Sequence, residues 1–195
     1  MLILASQSAS RRAMLTAAGV PFTAQAANVD EHAAKASLAG LPARDLADAL
    51  AELKALKLST RHPDALVLGS DSVVALADGT LLDKPETREE AADHLRRMSG
   101  AVHHLWSAAV VAEGGRPVWR HVEAARMHVR PLSYSFIERY LDAEWPAISG
   151  CVGCYRIEGP GVQLFEKIEG SHFTVLGLPL IPVLGYLRQR EVLPS

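Results

Sequence analysis

Two cysteines, Cys151 and Cys154, are the only thiols in 195 residues, too few for a disulfide framework. They are spaced as C-x-x-C, yet no second C-x-x-C and no H-x-x-x-H pair completes the four ligands of a structural zinc site. They also lie in a glycine-rich stretch, whereas a thioredoxin-type motif opens a helix after a strand. The pair therefore reads as structural. The eight histidines, His103-His104 among them, show no metal-ligand spacing and are expected at the surface or in turns. A long apolar run is missing as well: nothing approaches the roughly 20 residues needed to cross a bilayer. Met1 leads directly into Leu2-Ile3-Leu4 without a basic leader, so a cytoplasmic protein without a membrane partner is the expectation. There is little charge of one sign, with a net of −2, so no global field attracts a nucleic-acid polymer or a lipid surface. Neither G-x-x-x-x-G-K-[ST] nor G-x-G-x-x-G occurs, which removes the P-loop and dinucleotide-binding readings. Any anion site must be local.

What is present fits a soluble globular chain. Apolar residues make up 49% and charged residues 22%, enough to bury a core in one domain, residues 1–195, with room for two lobes. A strand, Leu2-Ile3-Leu4-Ala5, runs into the serine-rich turn Ser6-Gln7-Ser8-Ala9-Ser10. A helix is expected from about Arg11 to Ala18, stopped by Gly19 and Pro21. Val20 to Asn28 reads as a second strand, followed by a polar, alanine-rich stretch and a helix from about Arg44 to Leu58. Ala65 to Ala77 reads as an apolar strand returning through Asp78-Gly79 to Leu81-Leu82. Thr87 and Glu90 form a capping-box pattern for a helix to about Met98. His104 to Ala112 and Val118 to Val129 make a hairpin. Ser133 or Ser135 caps a helix reaching about Leu141. Residues 149–161 form a loop, Val162 to Ile168 a strand and Leu178 to Arg190 a last helix. Strands alternating with helices, with hairpins inserted, give an α/β class with a mixed sheet flanked by helices.

Several residues carry chemistry. Ser6, Ser8 and Ser10 place hydroxyls at a helix start, where backbone N–H groups attract anions, and Arg11 and Arg12 add guanidinium groups suited to phosphate. A serine cap with two solvated arginines is the plainer alternative, although arginine is electrostatically unfavourable at that end of a helix. Asp71 lies in Val67-Leu68-Gly69-Ser70-Asp71-Ser72-Val73-Val74, where a carboxylate is costly unless paired, metal-bound or functional. Asp30-Glu31 and Asp83-Lys84-Pro85 sit at strand ends, where sites in open α/β sheets assemble. Glu31 suits a hard divalent cation and Lys84 a phosphate, though each is also an ordinary turn residue. Lys54, on its own, reads as a surface lysine.

In this order, the segments resemble the Maf family of nucleoside triphosphate pyrophosphatases over nearly the whole chain. The family opening LASxSPRR is matched by Leu4-Ala5-Ser6-Gln7-Ser8-Ala9-Ser10-Arg11-Arg12, with one extra residue before the arginines. Its DE pair is matched by Asp30-Glu31, its LAxxKA helix by Leu50 to Ala55, and its G(A/S)DxVV strand by Gly69 to Val74. Its KP is matched by Lys84-Pro85, its LxxxSG helix end by Leu95 to Gly100, and its GLPL by Gly177-Leu178-Pro179-Leu180, after Gly170. The resemblance implies a long twisted mixed sheet with two lobes and a central cleft, an ITPase/Maf-like fold, and often a homodimer. It also implies cleavage of a nucleotide between its α- and β-phosphates, with Mg²⁺ or Mn²⁺ held by Glu31 and Asp71. Asp71 then serves as general base, and Lys54, Lys84, Arg11, Arg12, Ser6 and Ser8 surround the phosphates.

Within the family the chain is most similar to the branch acting on 7-methyl-GTP, which shares the extra loop residue and a CAGSFxxEG-like segment, here Cys151 to Gly159. Glu158 stands where the dTTP/UTP branch has glutamine. A carboxylate accepts from the N1–H and exocyclic amine of guanine. Ser10 and Ser72 depart from the branch, which usually carries tryptophan and glutamine there, so no ring at position 10 stacks on a methylated base. Three rivals remain: a dTTP/UTP pyrophosphatase, a non-catalytic nucleotide-binding regulator of cell division, and a redox or zinc module on Cys151 and Cys154.

Overall fold

The apolar run around Asp71 forms a strand, β3 (Leu66–Ala75), buried along nearly its whole length. In the computed structural model, which describes residues 1–194, β3 belongs to a seven-stranded mixed sheet. Beside it lies β1 (Leu2–Leu4), parallel, with Ile3 level with Val67. The short β2 (Thr23–Ala24) extends β1, also parallel. After the Asp78-Gly79 turn, β4 (Leu81–Leu82) pairs antiparallel with the end of β3. Then follow β5 (Val102–Glu113), β6 (Arg116–Val129) and β7 (Phe165–Glu169), in the order β2-β1-β3-β5-β6-β7. The β5–β6 turn is Gly114-Gly115, with φ of 56° and 75°; a two-residue hairpin loop of this kind needs positive φ at both positions, which glycine adopts without strain.

Among the described residues there are seven α-helices: α1 (Ala9–Ala17), α2 (Glu31–Ser37), α3 (Ala43–Ser59), α4 (Arg88–Met98), α5 (Tyr134–Glu144), α6 (His172–Val175) and α7 (Leu180–Gln189). The expected mixed α/β class is what the protein has. Among the described residues, no helix is long and apolar enough to cross a membrane.

The chain divides into two compact units. The first comprises residues 1–72, 107–123 and those from Ser171 on; the second comprises 73–106 and 124–170. In the first unit the two-residue period of the strands sorts the core into two layers. Leu2, Leu4, Leu66 and Leu68 pack with Leu15 of α1 and Val183 and Leu187 of α7. Ile3 and Val67 point the other way, toward Leu58 of α3. The buried stripe of α3 is Leu46, Ala47, Leu50, Ala51, Lys54, Ala55 and Leu58, the spacing of one helical face. Its alanines let the helix come very close to β3. A Cβ on Gly69 would fall 2.1 Å from the Ala51 carbonyl oxygen and 2.7 Å from the Ala55 nitrogen.

The second unit packs Leu95 and Met98 of α4 and Ile137 and Leu141 of α5 into its core. Thr87 caps α4 by accepting from the Glu90 N–H at 3.1 Å, and Arg88 joins Glu138 and Asp142 of α5 at 2.8 and 2.7 Å. His103 is 1% exposed. Its Nε2 lies 2.9 Å from the Tyr155 hydroxyl, and its ring packs beside Tyr155 and Phe165. Burial, with a smaller push from His104, lowers its pKa to about 4. His94, also buried, sits 3.4 Å from the Cys154 thiol. The expectation that the histidines lie at the surface or in turns is thus corrected for both: each fills a core position on a helix or strand, and His94 Nε2 also lies 3.8 Å from Glu90 Oε1.

Other elements differ from expectation. The strand expected over Val20 to Asn28 pairs only at Thr23–Ala24. It is an edge segment with one neighbour, and Pro21 has no N–H for a ladder. The alanine-rich stretch contains helix α2, capped by Asp30, whose side chain accepts from Ala33 N–H at 2.9 Å. The strand expected from Val162 starts at Phe165, because Pro160–Leu164 turns as a 3-10 helix opened by its proline. α6 was not expected at all.

Gly69→Ala is expected to destabilise the protein by at least about 1–3 kcal/mol in denaturant unfolding, because α3 must move off β3; an unchanged midpoint would contradict that close approach. For His103, the folded pKa lies below the usual 6.5, so below pH 6.5 the unfolded chain binds the proton more tightly. Stability is expected to fall from pH 6.5 to about pH 4, by on the order of 3 kcal/mol, and to flatten below that range. His103→Gln, which cannot titrate, is expected to shed that part of the pH dependence in melting scans.

Candidate active site

Lys54 stands in the core stripe of α3, one turn after Leu50 and one before Leu58. It is 8% exposed, so the surface position that its sequence context suggests is not where it lies. A buried ammonium needs partners, and it has two carboxylates. Its Nζ lies 2.5 Å from Asp71 Oδ1 and 2.7 Å from Glu31 Oε1. Asp71 is 7% exposed on β3, two residues beyond the glycine that admits α3. Glu31 comes from the first turn of α2, while its neighbour Asp30 caps that helix. Lys57, one turn after Lys54, donates to the Asn28 carbonyl and holds the chain leading into α2. The Asp-Glu pair is therefore divided: one residue builds the helix, the other faces the lysine.

The serine-rich turn forms the entry to α1. Ser8 is the N-cap, its hydroxyl accepting from the Arg11 N–H at 3.4 Å. Ser6, buried, accepts from the Ser8 N–H at 3.2 Å. Arg11 and Arg12 then diverge. Arg12 is exposed, whereas Arg11 folds inward. Its Nε donates to the Gly177 carbonyl at 2.7 Å, its Nη2 to Ser72 Oγ at 3.0 Å and its Nη1 to Ser6 Oγ at 3.4 Å. Burial lowers the Arg11 pKa from its usual value, and Asp71 and Glu31 oppose that shift. A guanidinium stays protonated throughout, so a cation and an acidic pair share this part of the first unit. Ser10 is half-buried on α1.

Ser72 Oγ also meets Ser107 Oγ of β5 at 2.9 Å, and Ser107 donates to the Thr174 carbonyl at 2.8 Å. Ser70 donates to the Gly177 carbonyl at 3.0 Å. Ser107 and Thr174 escaped the sequence reading altogether, because a serine in an apolar strand and a threonine in a one-turn helix carry no spacing signal. Gly177 belongs to a recognised motif but gives no hint there that its carbonyl anchors an arginine.

Lys84 and Glu158 lie in the second unit. Lys84 is exposed just after β4, and Glu158 is exposed on the turn preceding the Pro160 3-10 helix. The two share one neighbourhood there. The Cys151 thiol is raised from its usual pKa by burial first and then by Glu158, with Arg156 and Lys84 opposing. Arg156 donates to Glu144 Oε2 through Nε and Nη2, at 3.1 and 2.8 Å, which ties the loop to the end of α5. Cys154 is buried, with its thiol pKa pushed up to about 12. Raised pKa values are the opposite of what a redox-active thiol needs. Among the described residues, no group of three or more His, Cys, Asp or Glu is arranged to hold a metal ion.

The chain is similar to known proteins along nearly its whole length. A protein from Sphingopyxis alaskensis, named nucleoside triphosphate pyrophosphatase, is 53% identical over all of this chain and 99% of its own length. One from Caulobacter vibrioides with the same name is 50% identical over 95% of this chain and 93% of its own. One from Rhizobium meliloti, named 7-methyl-GTP pyrophosphatase, is 48% identical over 97% of this chain and 96% of its own. Among solved structures, a HAM1 protein from Coxiella burnetii reaches a TM-score of only 0.46 at 14% identity, over 66% of this chain and 72% of that one, too remote to bear on the assignment. The family model described as Maf-like protein matches residues 1–190, and the chain belongs to that family.

Proposed function

We propose that the protein is a nucleoside triphosphate pyrophosphatase that hydrolyses the bond between the α- and β-phosphates. The observation that carries this reading is the convergence of Asp71 and Glu31 on Lys54, in the unit where Arg11 meets the serine turn. The names of the relatives point the same way.

In this reading Asp71 takes the proton from a water whose oxygen attacks the α-phosphorus. The bond from that phosphorus to the bridging oxygen breaks, and pyrophosphate leaves with the electron pair. A base positioned this way contributes about 10²–10⁴-fold. Lys54 holds Asp71 and Glu31 in fixed positions through its two ion pairs, and Ser6, Ser8, Arg11 and Arg12 bind phosphate oxygens. Lys84 is assigned a further phosphate contact on the family resemblance. Glu31 and Asp71 are hard oxygen donors of the kind that hold Mg²⁺ or Mn²⁺ together with substrate phosphates, a coordination needing only one or two carboxylates from the protein. Such a cation, when bound, neutralises phosphate charge.

For the base, we assign 7-methyl-GTP as the preferred substrate. Glu158 lies on an exposed turn held by the Arg156–Glu144 pair, and a carboxylate there accepts from the N1–H and amine of a guanine. The Rhizobium meliloti relative bears that substrate in its name.

Asp71→Asn is expected to cut pyrophosphate release about 10²–10⁴-fold while leaving the melting temperature near that of the parent, because Lys54 keeps Glu31. Undiminished turnover would remove Asp71 from the base role. Release from a panel of 7-methyl-GTP, GTP, dTTP, UTP and CTP with Mg²⁺ or Mn²⁺ tests the substrate. The methylated nucleotide is expected to dominate, and Glu158→Gln to erode that preference. A pyrimidine preference keeps the enzyme class and overturns the base assignment. Folded protein that releases nothing from any of them favours the binding-regulator reading.

A further inference from the structure

We infer that Ser107 and Ser72 form a one-way hydrogen-bond relay that fixes the orientation of Arg11, making Ser107 a positioning residue for triphosphate binding. The inference rests on the phosphate-binding reading of Arg11.

The direction of the relay follows from counting protons. Ser107 Oγ lies 2.8 Å from the Thr174 carbonyl oxygen, which only accepts, so the single hydroxyl proton of Ser107 is committed there. Its 2.9 Å contact with Ser72 therefore has Ser72 as donor. The Ser72 proton being used, the Ser72 oxygen is left to accept, and the Arg11 Nη2 group 3.0 Å away has only protons to give. The chain runs from guanidinium to Ser72 to Ser107 to carbonyl and cannot run the other way. Bonds aligned in one direction polarise one another, so the relay draws charge density toward the Arg11 N–H.

The two ends are fixed. The Thr174 hydroxyl is bonded to Glu123, which holds the accepting carbonyl in place. Arg11 Nε is held at 2.7 Å by the Gly177 carbonyl, whose second donor is Ser70 at 3.0 Å. Gly177 has φ of 100°, and a Cβ there would lie 3.3 Å from Ser72 Oγ and 3.4 Å from Arg11 Nη2, so no side chain replaces it without strain. The Nε and Nη2 edge of the guanidinium is thus bound to the protein. The Nη1 end is directed toward Ser6 at the longer distance of 3.4 Å, at the start of α1, where a phosphate oxygen is best received. Ser107 is fully buried in β5. Its hydroxyl, costly among alanines and valines unless satisfied, ends in this chain.

The test is a double-mutant cycle on the full-length protein with Ser107→Ala, Arg11→Ala and the pair combined. Two readouts are needed: pyrophosphate release, and calorimetric binding of non-hydrolysable α,β-methylene-GTP. Ser107→Ala is expected to raise KM and the analogue Kd by about 3–10-fold, the worth of one such hydrogen bond, with kcat near the parent value. Added to Arg11→Ala, it is expected to cost nothing further, since its effect passes through the missing guanidinium. An unchanged Kd in Ser107→Ala, or an equal extra loss in the Arg11→Ala background, overturns the relay while leaving Arg11 as a phosphate ligand. Arg11→Ala with parental Kd overturns the phosphate-binding reading instead. If Ser107→Ala does not fold, Ser72→Ala at the half-buried end of the relay carries the same expectations. Ser72→Thr, which keeps the hydroxyl, is then expected to restore binding; a Thr variant as weak as the Ala variant overturns the relay.

Discussion

The approach of α3 to β3 at Gly69 is the constraint on which the acidic site depends. The Ala51 carbonyl and the Ala55 amide lie so near the Gly69 α-carbon that no side chain fits between them. A helix held farther from the sheet would leave the Lys54 ammonium short of the strand or reaching it in a different rotamer. Here the lysine, buried beside its alanine neighbours, meets Asp71 two residues beyond the glycine. Four small residues, Ala47, Ala51, Ala55 and Gly69, thus do for position what Lys54 does for charge.

Charge in the first unit gathers on Lys54, Asp71, Glu31 and Arg11. Two carboxylates share one ammonium, a mismatch that leaves net negative charge near a half-buried arginine. Buried ion pairs contribute little net stability compared with apolar packing of the same volume, so an all-apolar stripe on α3 would hold the helix at least as well. The burial that lowers the Arg11 pKa is opposed by the same Asp71 and Glu31. Anionic phosphate and a cation would complete both halves of this pattern.

What the sequence disclosed and what it concealed divide along physical lines. Elements with strong period or explicit caps were legible: the Thr87–Glu90 cap of α4, the Ser133 cap of α5, the α3 stripe and the Gly-Gly hairpin all lie within a few residues of expectation. Asp71 was conspicuous because a charge in an apolar strand demands a reason. Lys54 was concealed, since a lysine at a core position of an alanine-rich helix looks like any exposed lysine until the strand it faces is known. α2 was missed although Asp30 and the alanines after it announce it, because an isolated seven-residue helix has little intrinsic stability. His94 and His103 were misplaced because one ring nitrogen in each needs only a single buried partner, and that partner is distant in sequence.

The serine relay shows why the remainder of such a site stays hidden. Arg11, Ser72, Ser107 and Thr174 are contributed by α1, β3, β5 and α6, so no window of sequence contains two links. Each residue has an ordinary local explanation: a helix-start arginine, two strand serines and a threonine in a single turn. Only the distances make them one object, and only the proton count gives it a direction. Hydroxyls are suited to this because each can accept and donate at once. A residue without a hydroxyl in either serine position would break the sense of the chain. Asp71 and Lys54 can be found by asking which charges are out of place. Ser107 is found by asking where the last N–H of an arginine ends.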